Sequence, residues 1–133
     1  MPHIHARHLL RWALIPGLLV GLPVWLALGG GQGKPDAANL PAEFRTGETK
    51  FNATCARCHG ERATGTAQGP PLVHKIYEPN HHGDPAFQRA AANGVRAHHW
   101  RFGDMPKIEG VMPEDVDQIV KYIRWLQRQA GIM

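Results

Sequence analysis

Cys55-Ala56-Arg57-Cys58-His59 restricts this chain more than any other feature it has. C-x-x-C-H is the pattern at which a porphyrin is attached covalently. Two thiols on one helical turn can each add to a vinyl group of the same macrocycle. The histidine that follows then lies under the iron and can offer an imidazole nitrogen as proximal ligand. The chain has only 2 cysteines, so none remains for a structural disulfide or a four-thiolate zinc site. A thioredoxin-like redox pair and half of a zinc site are the alternatives. Neither accounts for the motif as well: the redox pair does not need the histidine, and no βαβ pattern surrounds these residues.

A chain of 133 residues has room for one small domain, and such a domain buries only a marginal core. A porphyrin held in its middle would supply a large apolar plate. Of 15 Lys+Arg and 11 Asp+Glu, Arg7 and Arg11 precede the first apolar run, which leaves a balance of +2 for the rest. Two haem propionates would cancel it. No basic run is interleaved with aromatic residues, so nucleic acid is not an expected partner.

Residues 1–11 carry Arg7, Arg11 and three histidines, and Trp12 to Leu28 is an uncharged, largely apolar run. A positive flank followed by an apolar run predicts export with the N-terminus left in the cytoplasm. Residues 1–29 therefore read as a signal peptide or membrane anchor, and 30–41 as a flexible linker. Residues 42–133 are the working domain, on the periplasmic side of a bacterial inner membrane. Ala27-Leu28-Gly29 offers a small-x-small cleavage site. The length of the run and the glycine tether after it favour a retained anchor.

Downstream, the spacing of Phe44, Phe51 and Cys55 predicts a helix from about Glu43 to Ala56. Gly47 within it suggests close approach by another helix. Residues 60–83 read as long loops, too much irregular chain for a small domain unless it wraps something. A second helix is expected with Asp84 as N-cap, Pro85 at the first position and an end near Asn93, with Gly94 beyond it. After a further loop at 95–112, Pro113 opens a last helix that Gly131 closes. Glu114, Asp115 and Asp117 at its start and Lys121, Arg124 and Arg128 toward its end match the helix dipole. Val116, Ile119, Val120, Ile123 and Leu126 form its apolar stripe, with Tyr122 and Trp125 placed to meet the glycine face of the first helix. No segment reads as an alternating strand.

In this order the elements resemble a class I cytochrome c, a small monohaem electron carrier, over roughly residues 40–131. Gly47-x-x-x-Phe51 precedes the haem motif, Gly69-Pro70-Pro71-Leu72 follows it, Asn93-Gly94 precedes Met105-Pro106, and Tyr122-Ile123-Arg124 falls on the last helix. The resemblance implies an all-α fold of three to four helices around one covalent haem c, preceded by the N-terminal hydrophobic helix. Cys55 and Cys58 would hold the haem, and His59 and Met105 would be the axial ligands. Pro70 would present its carbonyl to the histidine's Nδ1–H, and Leu72 would lie against the porphyrin. Met112, also followed by proline, is the weaker choice for sixth ligand because it borders the last helix.

The expected function is single-electron carriage, not enzymatic turnover, because both axial positions are filled. The partners would be redox proteins: a quinol-oxidising complex, a terminal oxidase or a periplasmic dehydrogenase. A haem-based redox or gas sensor with a labile sixth ligand and a histidine-rich copper-handling protein are the alternatives. Leu72, Phe102 and Val95 would keep water from the haem. Trp100 is placed to close over a haem edge or propionate, with Arg96 or Arg101 as a propionate's partner. Lys50, Arg57, Arg62 and Lys75 are candidates for a weak, salt-sensitive ring around the haem edge. His74, His81, His82, His98 and His99 crowd the stretch before Met105, with Asp84 close by. A second metal site, with copper the natural guess, and a pH-tuned docking surface stand beside a plain solvated loop.

Overall fold

The computed structural model describes residues 39–133. The N-terminal segment and most of the linker lie outside the described residues. Among the described residues four helices run in the order α1 (Ala42–Thr54), α2 (Ala56–His59), α3 (Asp84–Asn93) and α4 (Pro113–Gln129). Short 3₁₀ turns at Glu61–Ala63 and Lys75–Tyr77 interrupt the first long loop. Among the described residues there is no strand, only an isolated antiparallel bridge between Val95 and Met105. None of their helices is long and apolar enough to cross a membrane.

The core is the crossing of α1 and α4. Val116, Ile119, Val120, Ile123 and Leu126 are all buried along α4. Phe51 and Tyr122 are the two largest fully buried side chains, and their ring centroids are 5.8 Å apart. Phe44 stacks on Trp125 at 5.9 Å. Gly47 permits this approach: an alanine there would overlap the Gln118 carbonyl oxygen and put its Cβ 2.9 Å from Tyr122 Cβ. Backbone cannot yield as a flexible side chain would, so Gly47→Ala should cost about 1–3 kcal/mol by overpacking. Chemical denaturation of the haem-loaded protein would measure it.

Burial, with a smaller push from the Glu48 carboxylate, raises the Tyr122 phenol from 10.0 to about 12. A raised native value favours the neutral phenol in the fold. Its contribution is complete below the unfolded value and lost as pH rises from 10.0 toward about 12. The expected loss is at most about 3 kcal/mol. Tyr122→Phe should flatten that alkaline fall, which denaturation midpoints measured across the window would reveal.

Two helix boundaries differ from the pattern-based expectation. α1 ends at Thr54 and the chain restarts at Ala56. Cys55 joins the two, with its N–H bonded to the Phe51 carbonyl at 2.8 Å. Gly83, not Asp84, is the N-cap of α3. The Asp84 carboxylate instead accepts from Arg124 Nε at 2.8 Å, so it is committed to α4 and does not cap its own helix.

Arg124 does more than complement the helix dipole. It is 7% exposed, and its guanidinium donates to the Tyr77 carbonyl at 2.6 Å, to Gln127 Oε1 at 2.7 Å and to the His82 carbonyl. Gln127 Nε2 donates in turn to the carbonyls of Leu72 at 2.8 Å and Tyr77 at 3.0 Å. Two polar side chains of α4 thus fix the irregular stretch from 72 to 84.

Candidate haem centre

The centre begins where α1 gives way to α2. The N–H groups of Cys58 and His59 both bond the Cys55 carbonyl, at 3.1 and 3.0 Å, so the motif is wound into a single turn. Both cysteines are unpaired and half-buried. Burial pushes the Cys55 thiol up, against a smaller lowering by the Thr54 hydroxyl. A redox-active C-x-x-C needs a depressed thiol, so this environment does not favour the thioredoxin-like alternative.

A tight reversal follows. Gly60 and Gly65 take positive φ, and so do Arg62 and Ala63 at 54° and 58°. The Gly65 N–H meets the His59 carbonyl at 2.6 Å, and Thr66 Oγ1 donates to the Cys58 carbonyl at 2.6 Å. Gly69 lies so close that a Cβ there would sit 2.9 Å from the Cys58 oxygen. This contact sets Pro70 beside the histidine, and His59 Nδ1 lies 2.9 Å from the Pro70 carbonyl. A carbonyl only accepts, so Nδ1 carries the proton and Nε2 keeps its lone pair. Burial lowers the His59 pKa, outweighing the Pro70 bond, and a neutral imidazole is the form a metal takes.

Cys55, His59, Pro70, Leu72 and Met105 line one cavity of about 560 Å³. That volume lies within the roughly 300–1,000 Å³ of small-molecule and cofactor sites. Cys58 sits on the same turn but is not among the lining residues. Val116, Ile119 and Ile123 of α4 form part of the wall, and Val95 and Phe102 add to it. Met105 is held by its backbone: its N–H and carbonyl each bond Val95 at 2.9 Å. Gly94, with φ 75°, lets the two segments meet, since a Cβ there would be 2.5 Å from the Met105 oxygen. Met112 is 59% exposed and lies outside the cavity. The structure therefore brings Met105 to the His59 cavity and leaves Met112, the other candidate ligand, exposed to water.

The donor set suits a porphyrin. The cavity offers an imidazole with a free lone pair, a thioether and apolar walls. It also holds Trp100, whose indole N–H is buried without a partner and would suit a propionate. The cations nearest the cavity are not all those expected. Arg89 and Arg96 line it, whereas Arg101, Lys50, Arg57, Arg62 and Lys75 do not. Lys50 is paired with Asp115, and Arg62 lies over the Trp125 ring at 5.8 Å. Arg89 was not apparent as a site residue from sequence. Its place three residues after Ala86, on a face that also lines the cavity, was the available signal.

Comparison with known proteins supplies the family. No curated protein and no solved structure matches the chain. A model of the family described as "Cytochrome c" matches residues 44–127, from Phe44 in the first turn of α1 to Gln127 of α4. That span contains the C-x-x-C-H turn, the Pro70 loop and Met105, and it is more than half of the chain. The chain belongs to the cytochrome c family, whose members bind haem c covalently and use it to transfer electrons.

Proposed function

We propose that this protein is a single-electron carrier with one haem c, attached through Cys55 and Cys58 and ligated axially by His59 and Met105. The observation that carries the reading is the shared cavity. His59 and Met105 both line it, each fixed through a backbone contact, and Met112 lies outside. When bound, haem supplies a one-electron ferric–ferrous couple. The chain's part is to hold the ligands still and keep water away.

The Pro70 carbonyl holds His59 and the Val95 bridge holds Met105, which would limit how far either residue moves as a bound haem changes charge. A thioether and an apolar wall both favour the less charged ferrous form, which raises the potential. Were His59 and Met105 both to ligate the iron, no ligand position would be left for a substrate, and the protein would act as a carrier and not as an enzyme. Leader and linker would place it at the periplasmic face of the inner membrane. Its partners there would be a quinol-oxidising complex, a terminal oxidase or a periplasmic dehydrogenase, met through small transient contacts.

Intact-mass measurement of the exported protein should show one haem per chain and the loss of free thiols. Potentiometry should follow a single one-electron couple. A second haem, free cysteines or a two-electron couple would contradict the reading.

A further inference from the structure

Five histidines lie in the loops between Leu72 and Met105, and the fold sorts them. His74 is set apart: its Nδ1 accepts from the Ile76 N–H at 3.2 Å and its ring meets Trp100 edge-on. The others converge. Centroids of His81 and His82 are 4.8 Å apart, those of His98 and His99 4.3 Å, and His99 stands 5.2 Å from both His81 and His82. Neighbouring histidines in a loop commonly point apart. Here one ligand nitrogen each from His81, His82 and His99 falls within 4.8 Å of the other two.

We propose that His81, His82 and His99 form a second metal site, selective for a divalent transition ion that prefers imidazole, zinc or copper(II). Metal–nitrogen bonds of about 2.0–2.1 Å at tetrahedral angles hold two nitrogens about 3.4 Å apart. His81 Nε2 and His99 Nε2 are 3.4 Å apart. A hydrogen bond between these two would satisfy one pair and leave the third nitrogen out, whereas one ion uses all three. With no thiolate or carboxylate in the set, calcium and magnesium are disfavoured and copper(II) should bind tightest.

The support expected behind such ligands is present. His82 Nδ1 donates to the Ile76 carbonyl at 2.6 Å, which leaves Nε2 as the ligand atom. The His82 carbonyl is tied to Arg124, so this ligand hangs from the core helix. His81 and His82 share one turn, with both N–H groups on the Glu78 carbonyl. His98 Nδ1 bonds the Arg96 carbonyl at 2.8 Å, and its nitrogens lie outside the set of three. Because His82 and His99 also line the haem cavity, the ion would join the 76–82 loop to the 95–104 loop at its mouth.

The test is equilibrium dialysis of the haem-loaded full-length protein against zinc, with zinc and iron counted together. One zinc per iron is expected at micromolar free zinc, with the haem spectrum unchanged. The His81→Ala/His99→Ala variant should weaken binding by at least about tenfold, the lower end of what losing even a supporting partner of such a site costs. His81→Gln alone should weaken it too, which guards against a fold defect in the double variant. No zinc bound below about 100 micromolar would overturn the proposal. So would equal binding by the double variant, because the ligands would then be other groups, such as the leader histidines His3, His5 and His8.

Discussion

Met105→Ala should lower the reduction potential by on the order of 100 mV or more, since the axial ligand is the strongest control a protein has over haem iron. The same change should abolish the weak far-red ferric band of an iron–thioether bond and let the reduced protein bind carbon monoxide. The structural reason is local. Met105 reaches the His59 cavity from a segment held by two 2.9 Å bonds to Val95, and Ile108 N–H bonds the Ala91 carbonyl at 2.9 Å just beyond it. Truncating the thioether therefore leaves the backbone in place and no second methionine in the cavity. Met112, exposed at the N-cap of α4, lies outside the cavity. Met112→Ala should change neither band nor potential. Spectropotentiometry of the two variants side by side makes the distinction, and equal effects would refute the assignment.

Arg124→Met should destabilise the fold by about 3 kcal/mol or more, a large part of a small domain's total. The loss does not come chiefly from the ion pair. Asp84 has a side chain 66% exposed, and water screens such pairs. It comes from the partners left behind: the Tyr77 and His82 carbonyls and the Oε1 of fully buried Gln127 all lose a charged donor. Asp84→Ala should accordingly cost under about 1 kcal/mol. Denaturation of both variants separates the two sources, and similar losses would show the pair itself to matter. Because the same side chain holds Tyr77, His82 and Asp84, Arg124→Met should also loosen the stretch between them.

What could be read in advance was what repeats locally or has a fixed spacing. The C-x-x-C-H turn, the Gly47–Phe51 interval and the apolar stripe from Val116 to Leu126 each follow from helix geometry alone, and the structure has all three. Gly94 before the Met105 loop was legible for a similar reason, as a position that needs positive φ. The features that escaped depend on contacts between distant segments. Arg124 reads as a cation that matches the helix dipole, and nothing local tells that two loop carbonyls and the Asp84 carboxylate converge on it. Asp84 resembles a helix cap until that arginine takes its carboxylate. The convergence of His81, His82 and His99 depends on two loops meeting. Lys50 and Arg62 read as candidates for the haem edge, yet they serve the α1–α4 side, while Arg89 and Arg96 face the cavity.

The central claim is that the iron sits between His59 and Met105 with no open position. Its most direct test is the optical spectrum of the purified protein, oxidised and reduced, with and without carbon monoxide. The far-red ferric band should be present, and carbon monoxide should leave the reduced spectrum unchanged. A missing band, or rapid carbon monoxide binding, would show that Met105 is not a firm ligand and would favour gas or redox sensing over electron carriage.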